Sequence, residues 1–267
     1  MSEGRSPLFI AVVVALYAFL IAPIVIIVLA AFNAGEYLRF PPEGFSIRWF
    51  VKFAQSGPFV RAFVFSLQLA AATTLISTVL GGMAAFYVVR HAGRFRDTLR
   101  LLVIAPLQLP AILTGIALLL FFYGTGIGTR GMRALLLGHT LVCLPYVFLT
   151  IATVLIGFDR SLEEAARSLG AGPLTTFRRV TLPLIKGGVI SGALFAFITS
   201  FDQFPISLLL VSVGNTTLPL QLFDYLRFSF DPTAAAVSTV SVLMSVAIVL
   251  IIHRLVGLES IAWGGPR

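Results

Sequence analysis

Six long apolar runs, separated by short polar stretches, organise the chain. Residues 8–32, 62–89, 101–123 and 234–252 contain no charged side chain. The run 134–158 holds His139 but no formal charge, and 187–213 holds a single one, Asp202. One bilayer crossing by a helix takes about 20 residues, so each run is long enough to span. None shows the short alternating segments of a membrane β-barrel. The pattern predicts an all-α membrane protein of six spans, a single transmembrane domain over residues 1–267. The first run is longer than the apolar core of a signal peptide, about 7–15 residues, and reads as a retained helix.

Composition agrees. Of 267 residues, 58% are hydrophobic and 11% charged, against about 45–50% and about 25% in soluble domains. So few charges cannot cover a water-facing surface, and the spans leave no room for a soluble catalytic domain. Cys143 is the only cysteine, which excludes an intrachain disulfide and a cysteine-based metal cluster. The net charge of +8 raises nucleic acid as a partner, but the arginines lie in loops, where they set topology. Twelve of the 19 Lys and Arg fall with the termini and the loops after the second and fourth runs, and seven fall in the alternate loops. By the positive-inside rule both termini are cytoplasmic.

That orientation places the loop 158–186 in the cytoplasm. It is the least membrane-like stretch and carries its own start and stop signals. Ser161-Leu162-Glu163-Glu164 reads as a capping box, in which Ser161 accepts from the third backbone N–H and Glu164 reaches back. Gly170 suits the position just past a helix end. The spacing predicts a two-turn helix over Leu162–Leu169. A second short helix starts at Pro173, with Gly172 before it, and Pro183 ends it. A helix this short is marginal alone in water, so it needs a surface to pack on. Ala165 and Ala166 permit close approach, and Leu162 and Leu169 supply apolar contact. A separate subunit and this protein's own inner face both satisfy that need.

These residues carry a resemblance. Glu164-Ala165-Ala166, Gly170 and Val180-Thr181-Leu182-Pro183 resemble the "EAA" signature of binding-protein-dependent ABC-importer permeases of type I, with Val180 where the family has Ile. Gly138-His139-Thr140, Leu144-Pro145-Tyr146, Ser200-Phe201-Asp202-Gln203, Leu218-Pro219 and Asp231-Pro232-Thr233 are similar to segments of the spermidine/putrescine permeases within that family. The resemblance implies a six-helix permease of a bacterial inner membrane. It also implies that 161–170 is a coupling helix seated on a separate ATP-hydrolysing subunit. Ser161, Leu162, Glu163, Glu164, Ala165, Ala166, Leu169, Gly170, Val180, Leu182 and Pro183 would then form the ATPase-coupling surface. The implied partners are an ABC ATPase dimer, a second homologous permease, more readily a heterodimer than a homodimer, and a periplasmic substrate-binding protein. The outer loops Phe32–Phe59 and Gly214–Thr233 would meet the binding protein, with Asp224 and Arg227 close enough in sequence to pair.

Asp202 is the one carboxylate inside a run. A carboxylate in lipid costs about 2.5–3.5 kcal/mol on insertion scales, so it faces a cavity or a partner. Attraction of a cationic amine and pairing with the second permease are both open. Gln203 stands where the related permeases carry a second acid, which favours a singly charged amine or zwitterion over a polyamine. Tyr146 and His139 are further candidates for the path, and Tyr123, Tyr146 and Phe201 for an aromatic cage, although packing is the plainer role for each. Pro106, Pro110, Pro145 and Pro205 interrupt runs where transporters break helices to build sites; packing kinks are the competing reading. Gly81-Gly82 and Gly187-Gly188 allow close helix approach.

No Gly-x4-Gly-Lys-Ser/Thr loop is present, so ATP and Mg belong to a partner, and this chain is expected to bind no cofactor or metal and to catalyse nothing. The expected function is the pore subunit of an ATP-driven importer of a small, amine-containing, polyamine-like solute. The rival is an ion-coupled carrier or channel acting alone.

Overall fold

A computed structural model describes residues 7–129, 131–212 and 214–256. Arg5, Arg130 and Arg267 of the charge count, and Val213 at the end of the fifth run, lie outside them. The described residues form helices α1 (Pro7–Ala31), α2 (Arg48–Gln55), α3 (Gly57–Arg90), α4 (Arg96–Gln108), α5 (Ala111–Gly124), α6 (Met132–Gly157) and α7 (Ser161–Ser168). They continue with α8 (Pro173–Thr176), α9 (Leu182–Phe201), α10 (Phe204–Leu210), α11 (Leu218–Leu226) and α12 (Thr233–Val256). Five helices are long and apolar enough to cross a membrane, and the bent pair α4–α5 makes a sixth crossing if taken as one span.

Two of the expected spans differ in shape. The third run is two helices meeting at 102°. Pro110 causes this: it forces Leu109 into an extended conformation, with φ −92° and ψ 139°, and α5 restarts from its carbonyl. The fifth run begins earlier than expected. The helix continues from Pro173 to Phe201, so Pro183 does not end it. Proline lacks an N–H and crowds the carbonyl four residues back. Here a π turn over Phe177–Thr181 widens the helix, with Leu182 N–H donating to Phe177 O, and the proline is absorbed. The same span then breaks at Asp202-Gln203, because Pro205 sits in the first turn of α10.

The chain divides into two compact units, described separately. In the larger, over 61–221 and the segment from 247, α6 is the central helix. Val147, Phe148, Ile151 and Leu155 of α6 are buried with Ala85 and Val88 of α3 and Ile185 and Ala196 of α9. Glycines set the spacing. A Cβ on Gly81 would lie 2.9 Å from Val147 Cβ and 3.0 Å from Leu144 O, and one on Gly192 2.5 Å from Thr150 Oγ1. Only glycine admits backbones this close. Toward the other end, Leu69, Phe122, Leu135, Val142, Ile206 and Leu210 form a second apolar cluster.

The smaller unit holds residues up to 60 and 222–246. Ala30, Ala31, Trp49, Ala235 and Ala236 are its core. Asn33 is fully buried and arranges the following loop. Its Oδ1 accepts from Gly35 N (3.1 Å) and Glu43 N (2.9 Å), its Nδ2 donates to Tyr37 O (3.0 Å), and Trp49 Nε1 donates to its carbonyl (2.7 Å).

Candidate functional site

The loop between α6 and α9 carries a short helix with its own start and stop. The cap of α7 is Asp159 rather than Ser161: Ser161 N donates to Asp159 Oδ1 at 2.9 Å. That bond holds the Asp159 carboxyl below its usual range. Glu164 pairs with Arg160 one turn earlier, at 3.3 Å, instead of closing a capping box. The helix ends as its sequence requires. Gly170 has φ +86°, Gly170 N donates to Arg167 O and Ala171 N to Ala166 O. This is a complete Schellman motif.

The phase of α7 decides what each side chain meets. Leu162, Ala165 and Leu169 follow i, i+3, i+7 on one face and are exposed, Leu162 by 48% and Leu169 by 89%. Glu164 is exposed and Ala166 half-buried. Glu163 points the other way and is 4% exposed. It accepts from Thr181 Oγ1 at 2.6 Å and pairs with Arg90 Nε at 3.2 Å. Arg90 also lies over the Phe158 ring at 4.6 Å. So Glu163 pins α7 to the end of α3 and to the π turn, and is withdrawn from the exposed face. Val180 is half-buried, Leu182 and Pro183 are exposed, and Ser161 is exposed. Arg90 and Thr181 were not singled out from the sequence. Arg90 ends a long apolar run and looks like a topology signal; Thr181 sits inside the Val180–Pro183 motif, so its polarity was visible there.

A cavity of about 430 Å³ opens where two spans break. Pro106, Leu109 and Ala111 line it from the α4–α5 bend, Val142 and Tyr146 from α6, and Ile198, Thr199, Asp202 and Gln203 from the end of α9. The structure thus brings together Asp202, Gln203 and Tyr146. His139 is not in this lining. Its ring is fully buried and contacts Ser200 Oγ at 2.9 Å and Ser207 Oγ at 3.1 Å. Nor is there an aromatic cage: Tyr146 stacks on Phe195, Phe201 on Phe197, and Tyr123 is exposed. Pro110 and Pro205 are the helix-breaking prolines, while Pro106 and Pro145 lie within α4 and α6.

In the smaller unit, Glu36, Tyr37, Arg48, Trp49, Lys52, Phe228, Phe230 and Asp231 line a wider hollow of about 690 Å³. Lys52 Nζ binds Asp231 Oδ2 at 2.5 Å, and Tyr225 donates to the same oxygen at 2.7 Å. The bond to Asp231 raises the Lys52 pKa. Burial pushes Asp231 up, but hydrogen bonds from Lys52, Thr233 and Tyr225 outweigh it and hold the carboxyl below its ordinary value. Arg227 lies over Phe228 rather than pairing with Asp224.

Comparison with known proteins agrees with this architecture. Residues 77–258 match the family described as the binding-protein-dependent transport system inner membrane component. The putrescine transport system permease protein PotI of Escherichia coli (strain K12) is 36% identical over 242 residues, covering 88% of this chain and 85% of the relative. The spermidine/putrescine transport system permease protein PotC of Haemophilus influenzae is 32% identical over 235 residues, covering 88% and 91%. Among solved structures, a bacterial alginate ABC transporter in complex with a pentasaccharide-bound periplasmic protein superposes with TM-score 0.72 at 15% identity, covering 93% of this chain and 92% of that one. A bacterial ABC transporter importing the acidic polysaccharide alginate gives 0.66 at 17%, covering 96% and 98%. These share the fold, and the sequence relatives are permease subunits rather than enzymes. With apolar crossing helices, the inward-facing cluster around α6 and a family match over most of its length, the chain belongs to the inner-membrane permease components of binding-protein-dependent ABC importers.

Proposed function

We propose that this chain is one half of a transmembrane pore that imports a small amine, driven by ATP hydrolysis on a separate ATPase dimer. The observation that carries it is α7: a helix of 8 residues, capped at both ends and anchored through Glu163, that offers an unpartnered Leu162–Ala165–Leu169 stripe. Both chain termini and α7 lie in the cytoplasm on this reading. The ATPase seats α7 in a groove, and ATP and Mg bind there. Closure of the ATPase dimer pushes α7, and the Glu163–Arg90 and Glu163–Thr181 contacts pass the motion to α3 and α9. A second, homologous permease completes the pore, and a periplasmic binding protein delivers the solute to the outer loops.

The broken spans supply the path. Asp202 offers a carboxylate in the cavity, Gln203 a neutral hydrogen-bonding group, and Tyr146 an aromatic face for an ammonium group. The similarity to putrescine and spermidine permeases favours a polyamine-type solute over the monoamine suggested by Gln203 alone. The match to a binding-protein-dependent family argues against a carrier acting alone. Reconstitution with ATPase, second permease and binding protein tests the proposal. Putrescine or spermidine is expected to stimulate ATP hydrolysis above amino acids, opines and aminophosphonates. Stimulation by none of the amines, or uptake that follows an ion gradient without ATP, overturns it.

A further inference from the structure

His139 sits at the centre of a hydrogen-bond chain that bridges the break in the fifth crossing. Its Nδ1 faces Ser200, in the last turn of α9, and its Nε2 faces Ser207, in α10. Asp202 and Gln203 are the residues at the corner between those serines. One ring on α6 therefore grips both shoulders of the corner that presents the cavity's two polar side chains. The seat is tight: a Cβ on neighbouring Gly138 would lie 2.7 Å from Leu210 Cδ1 and 2.8 Å from Ile206 Cγ2.

The proton positions follow from the partners. Ser207 Oγ lies 2.6 Å from the Gln203 backbone oxygen. A carbonyl carries no proton, so the hydroxyl donates. The Ser207 oxygen must then accept from His139 Nε2–H. In the neutral ring the other nitrogen is an acceptor, and the Ser200 hydroxyl donates to it. The chain runs one way, from Ser200 through His139 and Ser207 to the Gln203 carbonyl. All four residues are buried, so water does not compete for the links.

We propose that His139, as the Nε2–H tautomer, is a positioning residue: it ties α6 to both sides of the α9–α10 break and fixes where Asp202 and Gln203 stand in the cavity. The inference rests on reading that cavity as the amine path. Replacing the ring by an aliphatic side chain leaves Ser200 and Ser207 without their common partner and lets the corner relax.

The test is uptake of radiolabelled putrescine by the complete reconstituted importer, measured over a concentration range, with assembly followed by copurification of the ATPase. His139→Leu and Ser207→Ala are each expected to raise the half-saturating concentration about fivefold to tenfold, the worth of one lost buried hydrogen bond. Because both cut the same chain, the double variant is expected to be no worse than His139→Leu alone. His139→Gln places an amide N–H near the Nε2 position and restores half-saturation to within about twofold. An unchanged half-saturation in His139→Leu, additive effects in the double variant, or a His139→Gln no better than His139→Leu overturns the proposal. Asp202→Asn, measured in parallel, separates it from the reading beneath it. Normal uptake by that variant removes the amine path itself, whereas impaired Asp202→Asn beside normal His139→Leu overturns the positioning role alone.

Discussion

Glu163 and Glu164 are adjacent in sequence and face opposite ways. Glu163 is buried against Arg90 and Thr181, and Glu164 is exposed beside Arg160. Their variants should therefore fail differently. Removing one partner of a buried pair costs on the order of 3 kcal/mol, because the other charge is left uncompensated. Glu163→Gln is expected to lower the thermal midpoint of the purified complex measurably, while Glu164→Lys leaves it within a degree or two and instead uncouples ATP hydrolysis from uptake. Equal midpoint losses in both would contradict the assigned orientations. Asp202→Asn keeps the shape of the corner and removes the charge, so uptake of a cationic amine is expected to fall tenfold or more, by about 1.4 kcal/mol of lost attraction, with assembly intact. What could be read here from residue type alone was the presence of Asp202 in an apolar run, since one charge among so many apolar neighbours demands an explanation. The direction of Glu163 could not be read, because it depends on Arg90, which lies far away in the chain. His139 shows the same limit: its polarity was visible, its two serine partners were not.

At the level of elements, terminators carry the argument. Gly170 adopts φ +86° and closes α7 through two backbone bonds. A β-carbon is penalised there, and a carboxylate would also meet the negative end of the helix. Gly170→Asp is expected to fray α7 and reduce coupled transport several-fold, measured as solute moved per ATP hydrolysed. An unchanged ratio would show that the helix end is irrelevant to docking. The Lys52–Asp231–Tyr225 knot ties α2 to the segment before α12. Asp231 is lowered, so its contribution is present above its unfolded pKa, about 3.9, and is lost as acid brings the pH down through the folded value. Lys52 is raised, so its contribution is present below about 10.4 and is lost as alkali takes the pH up through the folded value. Limited proteolysis of the segment between α11 and α12 should be flat from pH 5 to 9 and accelerate below about pH 4; acceleration near pH 7 would point to some other group. The apolar character of the crossing helices and the Gly170 stop were legible because hydropathy and glycine are local signals; the corner in the third run and the early start of the fifth helix were not. The capping residue was misplaced by two positions, since Asp159 and Ser161 are both good caps and only the backbone path separates them. The Pro110 break was legible, but its 102° angle was not, since a shallow kink would also satisfy the proline.

For the whole molecule, the apolar runs and a low charge content were enough to place the chain in a membrane and close to enough to count its spans. The cavity was not legible as a place. It arises where the α4–α5 bend meets the α9 break, and no single stretch of sequence contains both. The exposed stripe on α7 gives the remaining expectation: cysteines introduced at Leu162 or Ala165, in a background where Cys143 is replaced by serine, should crosslink to the ATPase in native membranes. Capture of the second permease alone would relocate the contact.

The widened turn at Phe177–Thr181 has one more consequence. Each α-helical residue advances the chain by about 100° of rotation and 1.5 Å of rise, and the wide turn takes up one surplus residue without passing that rotation on to the helix on either side. Deleting one residue from this turn would leave an ordinary spiral, in which the Pro183 ring crowds the carbonyl four residues back beside Thr181, whose hydroxyl holds Glu163. The short helix would keep its Asp159 and Gly170 ends, but one of the two side chains that seat Glu163 would be displaced.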